Sequence, residues 1–178
     1  MTLWSLLIAA GALSLERVWY AWVWHHPDSF RRFCSKPLLA LFGEPVDVLR
    51  NCFVCFKTLQ LAVFFGWCYL HGDGTVIPPG EDGPWIAAGG ALIAMGQILN
   101  VGVFVQLGTI GVFYGNRLGY QVPWCRSFPF SLMPHPQYVG AILSIWGFFM
   151  TTRFPYEDWF ILPLLQTAQY AAGAYLEQ

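Results

Sequence analysis

Residues 107–120 read LGTIGVFYGNRLGY, with glycine at Gly108, Gly111, Gly115 and Gly119 and Arg117 as the sole charge. Glycine at this density serves a phosphate loop, a helix-packing face or a bend, and each use implies a different fold. A Walker-type loop needs Lys and a hydroxyl residue after its last glycine, and neither follows here. A dinucleotide fingerprint needs GxGxxG between a strand and a helix, and the pattern is missing. Gly111, Gly115 and Gly119 instead form two overlapping GxxxG units, which let helix backbones approach closely inside a membrane. The same small residues also leave room for a bulky ligand against the helix. Periodicity alone does not separate these two uses.

The composition outside this stretch decides for a membrane. Charged residues make up 11% of the 178-residue chain, against about 25% in soluble domains. Aromatics reach 18%, with nine Trp, and a soluble fold of this size needs far more polar surface. Five hydrophobic runs, 3–24, 52–70, 84–112, 137–152 and 159–176, are candidate spans, since about 20 residues cross the hydrocarbon core. The expected fold is all-α: a multi-pass transmembrane bundle of four to five helices, forming one domain over residues 1–178. Glu16 and Arg17 interrupt the first run, which leaves a re-entrant or interfacial course open for it. The third run exceeds one span, so its end projects from the membrane or bends at the glycines. A cleaved signal peptide is not expected, because the start lacks a basic segment and a clear cleavage site.

Charge sorts between the runs. Arg31, Arg32, Lys36 and Arg50 lie in 25–51, and Arg117 and Arg126 in 113–136. Asp73, Glu81 and Asp82 lie in 71–83, while Arg153, Glu157 and Asp158 lie in 153–158. Basic loops belong on the cytoplasmic side, which puts the first and third loops there. Five crossings then return Glu177 to the side of the glycine-rich stretch. The net charge of −1 matters less than where the charges lie, and no nucleic-acid partner is expected. Cys52 and Cys55 form a CxxC without a second ligand pair. All five cysteines are read as buried thiols, and no metal site is expected.

Chemistry-bearing residues concentrate after residue 94. Gln97 and Asn100 share a helix face at i, i+3 spacing and are joined by Gln106. Polar groups inside a membrane are costly unless they face a partner helix or a cavity. In SFPFSLMPHPQYVG, residues 127–140, Pro129, Pro134 and Pro136 forbid regular helix until about Gln137. His135 is fixed between two prolines, and Gly140 leaves space beside Tyr138. Trp124, Phe128, Phe130 and Tyr138 form an interfacial aromatic belt or a face for an alkylammonium through cation–π attraction. Glu177, in AYLEQ, is either a frayed terminus or a carboxylate placed to meet a cation.

Together, MGQILNVGVFVQLGTIGVFYGNRLGY, VPWCRSFPF, PHPQYVG and YLEQ resemble the phospholipid N-methyltransferase family. The upstream WYAWVWHHPDSFRRFC and PVDVLRNCFVCFKTLQL are similar to the same group. The spacing resembles plant-type members that methylate phosphatidyl-N-methylethanolamine. The resemblance implies a small multi-pass protein of the endoplasmic reticulum using S-adenosyl-L-methionine to make phosphatidylcholine, with its active site facing the cytoplasm. The family's GxG falls on Ala94-Met95-Gly96, so only the second glycine is matched. Its paired acidic residues fall on Leu176-Glu177, so only the second carboxylate is present. PHPQYVG also resembles the HPxYxG motif of isoprenylcysteine carboxyl methyltransferases, which makes a prenylated protein the rival acceptor. A non-enzymatic helical membrane protein is the reading from a different class.

The resemblance implies a cofactor and catalytic portion at 94–178. Gly96, Gln97, Asn100, Gly108, Gly111, Gly115, Arg117, His135, Tyr138 and Glu177 are the expected cofactor-binding set. Glu177 would meet the α-amine, the glycines would let the adenosine lie close, and Arg117 would hold a carboxylate or the lipid phosphate. Arg117, Trp124, Phe128 and Phe130 are the expected lipid contacts. His135, Glu177 and Tyr138 are the catalytic candidates, because an amine of pKa about 10.4 must lose a proton before it attacks. Oligomeric state stays open, since GxxxG serves contacts within or between chains.

Overall fold

The computed structural model describes residues 2–72, 74–76 and 83–177. The described chain is helical, with no strand. The order is α1 (Leu3–His25), α2 (Pro27–Cys34), α3 (Pro37–Ala40), α4 (Pro45–His71), α5 (Gly83–Val112), α6 (Pro136–Thr152) and α7 (Ile161–Leu176). This is the all-α bundle expected from the hydrophobic runs. Helices α1, α4 and α5 are each long and apolar enough to cross a membrane. Helices α6 and α7 have 17 and 16 residues, about 24–26 Å at 1.5 Å per residue. Asp73, Glu81 and Asp82, the expected acidic loop, lie outside the described residues.

Glu16 and Arg17 do not interrupt α1, which is a continuous helix from Leu3 to His25. Glu16 is buried and sits 2.7 Å from Arg17 Nη2 and 2.9 Å from Lys57 Nζ on α4. Charge is tolerated inside a bundle when it is paired there. Helix α4 begins at Pro45 rather than residue 52, because Glu44 and Asp47 form a capping box and Pro45 occupies the first turn. Arg50 therefore belongs to a helix and pairs with Asp47 at 3.2 Å.

The glycines that pack helices are not those of the opening stretch. A Cβ on Gly96 would lie 2.4 Å from the Gly140 carbonyl, and one on Gly147 2.4 Å from the Gly89 carbonyl. These four bring α5 and α6 into backbone contact. Gly111, Gly115 and Gly119 join no pair of helices, since α5 ends at Val112 and their spacing no longer marks one face. A Cβ on Gly115 would strike its own Ile110, and one on Gly119 the Arg31 guanidinium. Gly108 breaks the helix at φ 61°, ψ −179°, a conformation that essentially only glycine adopts. Of the three uses of the stretch, the bend is the one built.

Interactions at the two ends fix the arrangement. At one end, Arg31 donates to the Arg117 carbonyl at 3.4 Å and Tyr114 donates to Glu177. This gathers α2, the 113–135 segment and the end of α7. At the other end, buried Arg153 pairs with Asp158 at 2.7 Å and donates to the His71 carbonyl. Asp158 is thus not a solvated loop charge, whereas Glu157 is exposed. The cysteines also differ from expectation: Cys34 and Cys68 are buried, Cys52 and Cys125 half-buried, and Cys55 exposed. Cys55 faces out because it lies on the outer side of an apolar helix.

Candidate active site

Glu177 is the C-cap of α7, and two tyrosines hold it. The Tyr114 hydroxyl donates to Oε1 and the Tyr138 hydroxyl to Oε2. A hydrogen bond to a charged group contributes about 1.5–3 kcal/mol, so this terminus is anchored, not frayed. Tyr114 reaches it from the turn that follows the Gly108 break, on left-handed backbone with φ 55°. A bulky residue adopts that conformation at a cost of about 1–3 kcal/mol, and such strain collects at functional sites. Burial, then Tyr138 and the Glu177 carboxylate, push the Tyr114 phenol well above its usual range. It therefore stays a donor at physiological pH. Tyr138 comes from the first turn of α6, which Pro136 starts and His135 caps. The His135 ring stacks on Tyr138 with centroids 5.8 Å apart.

These groups form one end of a cavity of about 1000 Å³, at the upper limit for small-molecule sites. Gln97, Asn100, Gly111, Trp124, Phe130, His135, Tyr138 and Glu177 line it. Asn100 Oδ1 is buried in this wall without a hydrogen-bond partner, while Gln97 donates to Ser144 at 2.9 Å. Trp124 is 97% exposed, which suits a belt position on the rim. Gly96, Gly108, Gly115, Arg117 and Phe128 stand outside the lining. Gly96 is used against Gly140, Gly108 forms the bend, and Gly115 turns the chain. The Arg117 guanidinium lies over the Trp24 ring at 4.0 Å. Phe128 covers Gly102 from the side, at 3.0 Å from a Cβ placed there.

The sequence reading missed Tyr114, and it missed the wall supplied by α1, α4 and α7. Lys57 donates to Glu16, to Gln60 at 3.1 Å and to Tyr170 at 3.0 Å. Gln60 in turn donates to Gln166 within the buried interior. The Arg17 guanidinium sits 4.2 Å from the Tyr170 ring centre and 5.9 Å from that of Tyr138. Charges inside apolar runs were the available signal. Glu16 and Lys57 meet only through the fold, 41 positions apart.

A carboxylate held by two phenols, set in a largely apolar chamber, suits a cationic or zwitterionic ligand of amphiphilic character. Residues 84–178 match the phospholipid methyltransferase family. The chain belongs to that family. It is 32% identical over 139 residues to a phosphatidyl-N-methylethanolamine N-methyltransferase of Arabidopsis thaliana, covering 78% of this chain and 75% of that protein. No solved structure matches the chain. This phospholipid methyltransferase is accordingly a membrane enzyme of phospholipid biosynthesis, and its chemistry requires a methyl donor. The family match begins at residue 84, so Glu16, Arg17 and Lys57 lie upstream of it while lining the same cavity.

Proposed function

We propose that the cavity binds S-adenosyl-L-methionine together with phosphatidyl-N-methylethanolamine or its dimethyl derivative, and that the product is phosphatidylcholine. The observation that carries this reading is Glu177 fixed by Tyr114 and Tyr138 at the end of a chamber of about 1000 Å³. The residues fit such a donor. Glu177 offers an acceptor for an α-amine, and the orphaned Asn100 oxygen is an unspent acceptor in the same wall. Tyr20, Trp24 and Tyr138 offer aromatic faces to a positive centre. When bound, the donor supplies an electrophilic methyl group.

The chain's own residues orient the acceptor and remove its proton. The two tyrosines hold the Glu177 carboxylate in one place, and His135 on the adjoining stack is within the same cavity. Either base takes the proton of the secondary or tertiary ammonium, and the apolar walls lower that ammonium's pKa by desolvation. Fixing the amine for in-line attack contributes up to roughly 7–11 kcal/mol. The lipid enters from the flank, so its acyl chains remain in the bilayer. The basic segments at the Glu177 end support a cytoplasmic face for the site.

The test is transfer of radiolabelled methyl from S-adenosyl-L-methionine to monomethylated phosphatidylethanolamine or to a farnesylcysteine analogue. Transfer to the lipid is expected. Transfer confined to the farnesyl compound would sink the lipid assignment.

A further inference from the structure

The charged residues lining the cavity are Glu16, Arg17, Lys57 and Glu177, and they do not pair off evenly. Glu16 lies 2.9 Å from Lys57 and 2.7 Å from Arg17. One carboxylate between two cations leaves one positive charge uncompensated. Lys57 spends its three donors on Glu16, Gln60 and Tyr170. Arg17 differs: among the described residues, Glu16 is its sole ion-pair partner, so most of its five N–H donors remain unspent. Its side chain is only 14% exposed and stands among the rings of Tyr20, Tyr138 and Tyr170 at 4.2–5.9 Å. An unspent guanidinium in a membrane-embedded chamber is costly unless an anion joins it.

We propose that Arg17 is an oxyanion receptor inside the cavity, the positive arm of a clamp for a zwitterion whose negative arm is Glu177. Tyr138 spans the two arms, with its hydroxyl on Glu177 and its ring beside Arg17. No ion pair joins Arg17 to Glu177 among the described residues, so each arm is available to a ligand. Two ligands of the reaction carry the matching chemistry, a singly charged oxyanion a few bonds from an amine. One is the methyl donor's amino-acid end, with its carboxylate. The other is the lipid headgroup, with its phosphodiester. A guanidinium fork binds either through paired hydrogen bonds. Lys57 and Glu16 act as positioning residues: Lys57 offsets Glu16, and the Glu16 carboxylate fixes the guanidinium.

This inference rests on the methyltransferase reading, and the test separates the two. Full-length protein in nanodiscs is titrated calorimetrically with S-adenosylhomocysteine and with its decarboxylated analogue, and the KM for monomethylated phosphatidylethanolamine is measured in parallel. Arg17→Met keeps Glu16 neutralised by Lys57, and Arg17→Lys keeps the charge without the fork, which provides a readable variant if Arg17→Met does not fold. If the carboxylate is the ligand, Arg17→Met weakens S-adenosylhomocysteine about ten- to hundredfold. The decarboxylated analogue is then unaffected, and Arg17→Lys recovers part of the loss. If the phosphodiester is the ligand, nucleoside binding is unchanged and the lipid KM rises by a similar factor. Unchanged affinity for both, in a variant of either kind that folds, overturns the Arg17 assignment and leaves the methyltransferase reading intact. Wild-type protein that neither binds S-adenosylhomocysteine nor transfers methyl overturns both.

Discussion

Replacing Gly108 by alanine tests whether a backbone break positions the site. A Cβ at Gly108 meets nothing within 4 Å, and neither does one at Gly90, so side-chain crowding plays no part at either position. Backbone conformation then sets the sign. Gly90 lies within the helical part of α5, where alanine is favoured by roughly 0.5–1 kcal/mol. Gly108 sits at φ 61°, ψ −179°, where a Cβ costs about 1–3 kcal/mol. Each kcal/mol moves the midpoint by about 2–4 °C in a chain of this size. Tryptophan-fluorescence melts in nanodiscs should show Gly90→Ala slightly above wild type and Gly108→Ala several degrees below it. The strained variant relaxes by continuing the helix, which swings Tyr114 off Glu177. Methyl transfer should fall about ten- to hundredfold with that hydrogen bond. A Gly108→Ala protein at least as stable and as active as wild type would refute the argument.

Glu177→Ala should weaken S-adenosylhomocysteine binding about ten- to hundredfold and lower the melting midpoint by several degrees, since both phenol hydrogen bonds are lost. Unchanged calorimetric affinity would remove Glu177 from the site. Tyr138→Phe keeps the ring and loses one donor to Glu177; kcat/KM should drop by about tenfold or more, and a value within twofold of wild type would count against the phenol pair. Gly140→Ala would place a Cβ 2.7 Å from both the Gly96 carbonyl and Asn100 Oδ1, forcing α5 and α6 apart at about 1–3 kcal/mol, readable as a lowered midpoint. The raised Tyr114 phenol contributes stability that is complete below about pH 10, the unfolded value, and is lost as pH rises through the folded value. Tyr114→Phe should therefore flatten the alkaline fall in stability, and an identical fall in both proteins would be the contrary result.

The spans were legible because hydropathy is a local property, and the one large boundary shift, the start of α4 at Pro45, was set by a capping box and a proline. Glu177 was legible through topology: two successive helices, α6 and α7, return the chain to the end that holds residues 113–135, and the Tyr114 hydrogen bond follows from that return. The opening glycines were legible in part: the third run ends at residue 112 with a bend at the glycines among its expectations, and α5 ends at Val112 with a break at Gly108. GxxxG spacing misleads there, because it marks one face only while the helix lasts. Gly96 and Gly140 were both noticed, one as a cofactor position and one as space beside Tyr138. Their mutual contact joins two helices across a long loop, and a single sequence does not register such a pair.

The charges of α1 and α4 show how a local signal can be read with the wrong sign. An acid and a base in an apolar run look like a defect in the span, since each alone is expensive there. The fold reverses that reading by bringing Lys57 to Glu16, which makes the run a complete helix and turns the remaining guanidinium toward the cavity. The segment matching the family supplies Glu177, Tyr114 and Tyr138, the anionic half of the site. The preceding helices supply the cationic half. On the proposed clamp a zwitterionic ligand uses both halves, and the upstream helices then belong to the site as well as to the membrane anchor.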